Sequence, residues 1–177
     1  MIAAQPRNLR TGSEPKTRKA SYAWVTVLAV SVAGQPPPSP AERAAEVTEF
    51  FRPLVPGMLG VVCDSAAPDE VLGHIDVVDS LIAGTGYLFA PAVIALADAA
   101  CAIGCGLNTG ENASFTTVEL KSNFLSSARV GHRVRCRAFP VHRGRQTQVW
   151  DAEVFNETTQ RMVALFRCTQ MILYPAG

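Results

Sequence analysis

From residue 38 onward the spacing of apolar and polar positions changes period several times. Between Pro40 and Phe51, the residues Ala44, Val47, Phe50 and Phe51 recur at helical spacing. Ser39 suits an N-cap, Pro40 suits the first helical position, and Pro53 limits the run. "MLGVVCDS" and "EVLGHIDVV" read as two strands, with "AAPD" as the turn between them. Next comes "GYLFAPAVIALADAACAIGCG", residues 86–106, an almost unbroken apolar segment. Its length, its alanines and a proline near its start predict a helix, because Pro91 is tolerated only in the first turn. Apolar residues lie on every face of that helix, so it is expected to be buried all round. Four strand-like runs follow: "SFTTVELKSNFL", "HRVRCRAFPVH", "TQVWDAEVFN" and "RMVALFRCTQMILY". Turn signals in "SSARVG", "HRGR" and "NETTQ" separate them and predict an antiparallel meander. The expected class is α+β, a long antiparallel sheet wrapped around one central buried helix.

Upstream of residue 38 the pattern is different. Arg7, Arg10, Lys16, Arg18 and Lys19 precede the short apolar run "ASYAWVTVLAVSVAG", the layout of a secretory signal. The run is short for a transmembrane helix of about 20 residues. "GQPPPSPAER" then marks a boundary, since consecutive prolines favour an extended linker. Residues 1–37 are therefore read as a disordered or signal-like extension, and 38–177 as one domain.

Composition narrows the possible partners. The chain has 177 residues, 48% hydrophobic and 18% charged, with a formal charge of +1. That balance suits one globular domain, and it provides no strong field for nucleic acid. Neither a nucleic-acid nor a membrane partner is expected. Five cysteines, Cys63, Cys101, Cys105, Cys136 and Cys168, lie without a CxxC pair. An odd number of scattered thiols favours reduced, buried cysteines and a cytoplasmic location, with export as the alternative if the signal-like stretch is used.

The one charge in the apolar segment is Asp98. One turn away on a helix stand Ile94, Ala95, Cys101 and Ala102, none of which pairs with a carboxylate. Burying an unpaired ionised group is costly, so Asp98 must find a donor elsewhere, shift its pKa upward, or face a cleft. One reading is a structural aspartate held by strand hydroxyls such as Thr116 or Thr117. The other is a general base or nucleophile in an apolar slot, for which Ala95, Ala99 and Ala102 leave room.

Other chemistries are weakly represented. Cys101 and Cys105 share a helical face but have no neighbouring histidine, so small buried residues are the expected role and no metal is expected. His74, His132 and His142 are dispersed, and no G-x-S-x-G accompanies them. No G-x-G-x-x-G opens a helix after a strand, so no nucleotide cofactor is expected.

The words "GYLFAPAVIALADAACAIGCG", "FTTVELKSNFL" and "GRQTQVWDAEVFNETTQRMVALFRCTQMIL", in this order, resemble the hotdog-fold acyl-CoA thioesterases of the phenylacetate-degradation (PaaI-like) type, over about residues 42 to 174. That resemblance implies an acyl-CoA substrate and no cofactor. The family's helix acid matches Asp98, as general base or nucleophile. Its water-orienting hydroxyl on the following strand matches Thr117, with Thr116 beside it. Its His-Gly-Gly word falls on Phe89, Ala90 and Pro91, a departure, because Phe89 can neither donate nor accept a hydrogen bond. The backbone N–H of Ala90, in the first turn of the helix, is the remaining oxyanion donor. The family's upstream Asn or Gln has no clear counterpart, and Thr85 or Ala83 occupies the region. Arg143 and Arg145 flank Gly144 in a hairpin that suits phosphates or is an ordinary solvated turn, and the resemblance places CoA contacts in this region; Lys121, Arg129 and Arg133 are weaker candidates.

Three activities fit this reading: acyl-CoA hydrolysis, non-catalytic binding of acyl-CoA or an acyl carrier, and, last, hydration of enoyl thioesters, for which "FAP" lacks a histidine. The long strand "SFTTVELKSNFL" would be exposed as a sheet edge. Pairing two such edges predicts a homodimer or a dimer of dimers, with Asp98 of one subunit and Thr117 of the other facing one thioester.

Overall fold

The structure, a computed structural model, describes residues 36–110 and 112–175. The signal-like stretch lies outside the described residues. The first helix, α1 (Pro40–Phe51), begins with a capping box: Glu42 N–H donates to Ser39 Oγ at 3.2 Å, and Ser39 N–H donates to Glu42 Oε2 at 2.7 Å. Its buried face is Ala44, Val47 and Phe51.

The run read as a strand from Met58 starts later than its pattern implied. Val55–Met58 is a single helical turn, α2, with proline in its first turn, and β1 spans Val62–Ala67. Gly60 between them has φ +75°, a left-handed conformation that reverses the chain cheaply only with glycine. Thr48 on α1 ties down the start of β1: its hydroxyl accepts from Cys63 N–H at 3.0 Å. That contact helps close one edge of the sheet.

Strands β2 (Glu70–Asp76), β3 (Ser114–Phe124), β4 (Arg133–Arg143), β5 (Thr147–Asn156) and β6 (Arg161–Leu173) complete one antiparallel sheet of order β1-β2-β4-β5-β6-β3. The expected four-strand meander is therefore corrected: only β4, β5 and β6 form it. The long helix α3 (Ala90–Leu107) explains why. At about 1.5 Å per residue it carries the chain roughly 27 Å across the sheet. Consequently β3 enters at the far edge beside β6, while β4 returns to pair with β2.

Helix α3 lies on the inner face, against Val71 and Ile75 of β2, Val134 and Ala138 of β4, and the buried alternate positions of β5 and β6. By length and apolar character it would pass for a membrane span, but it is the core helix here. Full burial of Leu96 and Ile103 contributes about 1.5–3 kcal/mol each. Burial is not complete all round, which corrects the expectation from its apolar faces. Ile94, Ala95, Asp98 and Ala102 are half-buried and Pro91 is exposed, forming one stripe at helical spacing that the sheet does not cover.

On the covered side the packing is tight. A Cβ added at Gly104 would lie 2.3 Å from Trp150 Cζ3, and Trp150 is fully buried with its ring N–H donating to Gln148 Oε1 at 3.0 Å. Neither group has room to yield. Gly104→Ala is expected to destabilise the fold by about 1–3 kcal/mol, lowering the melting temperature by roughly 2–4 °C per kcal/mol. An unchanged thermal melt would show that the helix can slide away from the indole.

Candidate active site

Asp98 stands in the uncovered stripe of α3. Thr117, on β3, places Oγ1 3.3 Å from Asp98 Oδ1 in the same chain. The expectation that these two groups come from different subunits is corrected by this contact. Thr116 is exposed, on the opposite side of the strand from its neighbour, so the choice between the two hydroxyls falls on Thr117.

Two effects act on the carboxylate. Burial pushes its pKa above the usual aspartate range, and the Thr117 hydroxyl, which favours the ionised form, partly opposes that rise. A single hydroxyl does not satisfy a carboxylate, which offers about four acceptor sites. The remaining sites lie on the open stripe, where a water or a substrate can reach them. The structural reading of Asp98 and the family resemblance both pointed to a strand hydroxyl; the open stripe is what distinguishes this site from a sealed structural network.

The aim of Thr117 depends on a bulge. In the β3–β6 ladder Thr117 faces Gln170, but Glu119 faces Thr169, so Val118 is an extra residue. Before the bulge Phe115 and Thr117 share the inner face; after it the inner face passes to Leu120, Ser122 and Phe124, opposite Cys168, Phe166 and Ala164. Glu119 and Lys121 are thereby turned to the other side. Charged side chains are kept away from Asp98, and apolar ones extend its surroundings along the strand.

At the start of α3, Phe89 is the N-cap residue and makes no side-chain cap. It is 50% exposed. Ala90 and Pro91 beside it are exposed, and Ala90 holds a first-turn N–H. The preceding loop is tightly held: Ala83 N–H donates to the Tyr87 carbonyl, Gly86 N–H to the Ala83 carbonyl, and Phe89 N–H to the Leu81 carbonyl. Thr85 sits exposed at the tip of that turn. Tyr87, which sequence reasoning passed over, takes a hydrogen bond from Arg129 at 2.9 Å, and the guanidinium also stacks 4.6 Å from its ring centroid. An aromatic residue two positions before the helix N-cap was the available signal.

The basic hairpin lies at the other end of the helix. Arg143 Nη1 donates to the side chain of Asn108, the C-cap of α3, at 3.2 Å. Gly144 is needed there, since a Cβ would come within 2.5 Å of His142 Nε2 and 2.9 Å of the Thr147 carbonyl. Arg143 and Arg145 are exposed. Arg133 is held by Asp76 in a two-pronged pair at 2.6 and 2.7 Å, which leaves it less available to phosphate. Lys121 is exposed on the outward side of β3. All five cysteines are free and buried, and burial pushes Cys105 and Cys136 up to about 12.

Two grooves of about 280 and 240 Å³ lie on the outer face of the sheet. Their linings include Asp151, Glu153 and Arg167, which alternate with the core-facing residues, so they are separated from Asp98 by the sheet itself.

A family model of the thioesterase superfamily matches residues 85–163 of this chain. The 1,4-dihydroxy-2-naphthoyl-CoA hydrolase of Listeria monocytogenes (serotype 1/2a, strain 10403S) is 26% identical over 111 residues, 63% of this chain and 89% of that protein. A Bacillus subtilis (strain 168) protein named "Putative esterase ComA2" is 33% identical over 89 residues, 50% of this chain and 69% of its own length. The PaaI protein of the Escherichia coli phenylacetic acid degradation operon shares the fold with a TM-score of 0.65 at 22% identity, over 78% of this chain and 98% of that one. With its six-stranded antiparallel sheet around one long helix, the chain belongs to the thioesterase superfamily, as a thioester hydrolase of hotdog fold.

Proposed function

We propose that this chain hydrolyses acyl-CoA thioesters, with Asp98 as the general base that activates water. The observation that carries the reading is the placement of Asp98. It is a carboxylate with a raised pKa, held by one hydroxyl, on the open stripe of an otherwise apolar helix. Desolvation makes it a stronger proton acceptor than a surface aspartate, and Thr117 fixes its orientation. Water gives a proton to Asp98 as its oxygen attacks the thioester carbonyl. The tetrahedral intermediate then expels the CoA thiolate, which takes up that proton.

Developing charge on the carbonyl oxygen needs a donor, and Ala90 N–H with the helix dipole behind it is the group we assign. Ala90 and Asp98 are separated by about 12 Å along one helix, at 1.5 Å per residue. One carbonyl cannot touch both. Two copies related by a two-fold axis remove the difficulty, because antiparallel helices bring Ala90 of one subunit toward Asp98 of its partner. The exposed apolar residues of the β3 edge, Val118, Leu120, Phe124 and Leu125, support a paired edge. The acyl group would lie along the open stripe of α3. Arg143 and Arg145, some 15 Å from Asp98 along the helix by the same rise, suit phosphates at the far end of a pantetheine arm.

Phe89 favours a second reading, a binder of acyl-CoA without turnover, since its ring supplies no hydrogen bond at the helix start. Thiol release from a panel of acetyl-, hexanoyl-, palmitoyl-, benzoyl- and phenylacetyl-CoA separates the two. Turnover by the native protein that falls about 10²–10⁴-fold in Asp98→Asn, with ester affinity kept, is expected for hydrolysis. Binding with no turnover of any ester would move the assignment to the second reading.

The same variant has a stability signature. A carboxyl whose folded-state pKa is raised contributes stability at low pH that is lost as pH rises through that value. Asp98→Asn is therefore expected to melt above the native protein at neutral pH, with the gap closing as the pH falls below the unfolded aspartate value of about 3.9. Equal melting temperatures at pH 7 would mean that the carboxylate is not desolvated in solution.

Replacing Arg143 and Arg145 together by alanine is expected to raise KM for acyl-CoA and leave hydrolysis of a short pantetheine thioester unchanged. Equal losses on both substrates would remove the hairpin from phosphate binding. For the two-copy site, Ala90→Pro and Asp98→Asn are each expected to be slow, and a co-expressed mixture to regain activity through hybrid dimers carrying one intact site. A mixture no faster than its components would confine the site to one chain.

A further inference from the structure

Beneath Thr117 lies a polar side chain that the mechanism above leaves unused. Gln170 is fully buried on β6, directly opposite Thr117 in the ladder and at the same parity as Phe166, Cys168 and Ile172. An amide on an apolar face is costly unless its groups are engaged. Here one end lies 3.1 Å from Thr117 Oγ1 and the other 3.4 Å from Cys168 Sγ. Burial raises the Cys101 thiol, and the neighbouring Cys168 and the Asp98 charge one turn away on α3 add to the rise.

Proton counting fixes the polarity of this row. Thr117 has one hydroxyl proton, and its oxygen lies within reach of both Gln170 and Asp98. When Asp98 is protonated, it donates to Thr117, Thr117 donates to the Gln170 carbonyl, and the amide N–H points to Cys168. When Asp98 is ionised, that arrangement leaves the carboxylate without a donor, facing a lone pair on the hydroxyl. Rotating the amide by 180° reverses every bond. Cys168 S–H then donates to the Gln170 carbonyl, the amide N–H donates to Thr117, and Thr117 donates to Asp98.

Resting on the hydrolytic reading of Asp98, we propose that Gln170 is a positioning residue whose amide turns its N–H toward Thr117 when Asp98 ionises, holding the hydroxyl proton on the base. The titratable groups around Asp98 are buried thiols: Cys101 on its own helix, with Cys168 on β6 and Cys136 on β4 acting on Cys101. Among the described residues no Lys, Arg or His contributes to the Asp98 shift. The row is thus the only hydrogen-bonded route by which the described protein sets that charge.

The native protein itself provides the first test. The Gln170 side-chain amide resonance is followed across pH by ¹⁵N NMR, beside the Asp98 carboxyl in ¹³C-aspartate-labelled protein. The two are expected to titrate with one midpoint, and the Gln170 response to vanish in Asp98→Asn; an amide that ignores Asp98 overturns the proposal whether or not the protein turns over any ester. Gln170→Met, which keeps the volume and loses the amide, is then expected to lower kcat about tenfold with KM unchanged and to raise the acidic limb of the rate profile. In a Thr117→Val background the same change should cost nothing further. A lower melting temperature with native kcat and limb, or an equal loss in both backgrounds, would make Gln170 structural. Absence of turnover in the native protein, with the amide still following Asp98, would overturn the hydrolytic reading and leave the coupling standing.

Discussion

The structure depends on covering one apolar helix that carries a carboxylate. Helix α3 has no charged residue besides Asp98, so almost its whole surface must leave water. One face of a six-stranded sheet achieves most of that, and the length of the helix determines where the next strand can enter. The stripe left over is where a charge is tolerable, and Asp98 lies in it. Fold and candidate site are thus two consequences of one burial problem: the sheet covers what is apolar, and the lone carboxylate occupies what the sheet leaves.

The bulge at Val118 shows how closely the two are linked. A regular strand through Thr117 would put Glu119 and Lys121 on the same face as the hydroxyl, beside a buried carboxylate. Glu119 there would repel Asp98, and Lys121 would pair with it and lower its pKa, cancelling the desolvation that makes it basic. One extra residue turns both outward and brings Leu120 and Phe124 in. A local irregularity in the ladder therefore maintains the electrostatic character of the site.

Much of this was legible in the residues, for identifiable reasons. Ser39, Pro40 and Glu42 mark a helix start through short-range hydrogen bonds, and the structure has that capping box. Asp98 stood out because a charge in an apolar run is a free-energy anomaly. Thr117 followed from the resemblance, and its contact is present. Strand order was not legible, because β3 and β4 are neighbours in sequence and only the reach of α3 places them on different neighbours. The uncovered stripe was only partly legible: Ala95 and Ala102 were expected to leave room and lie in it, but Ala99 is buried, and Ile94 is as apolar as the covered positions. Gln170 carried a signal of the same kind as Asp98, a polar residue at core parity within "FRCTQMI", but a neutral amide is a quieter anomaly than a charge.

The helix start remains the unusual part of the site, and its physics follows from what Phe89 does not do. An N-cap with a polar side chain would satisfy one of the first-turn N–H groups. The Phe89 side chain satisfies none, although its carbonyl accepts from Ala92 N–H at 2.9 Å, and proline in the first turn removes one donor altogether. Ala90 N–H is left at the positive end of an 18-residue helix with no acidic side chain in its first turn. An anionic oxygen arriving there meets a donor that no side chain competes for. Where a histidine would offer a directed but mobile hydrogen bond, the backbone offers a fixed one, and the half-exposed Phe89 ring adds apolar surface beside it. In the proposed hydrolysis, stabilisation of charge at this end and desolvation at Asp98 would act from one helix, the first through the peptide dipole and the second through a side chain.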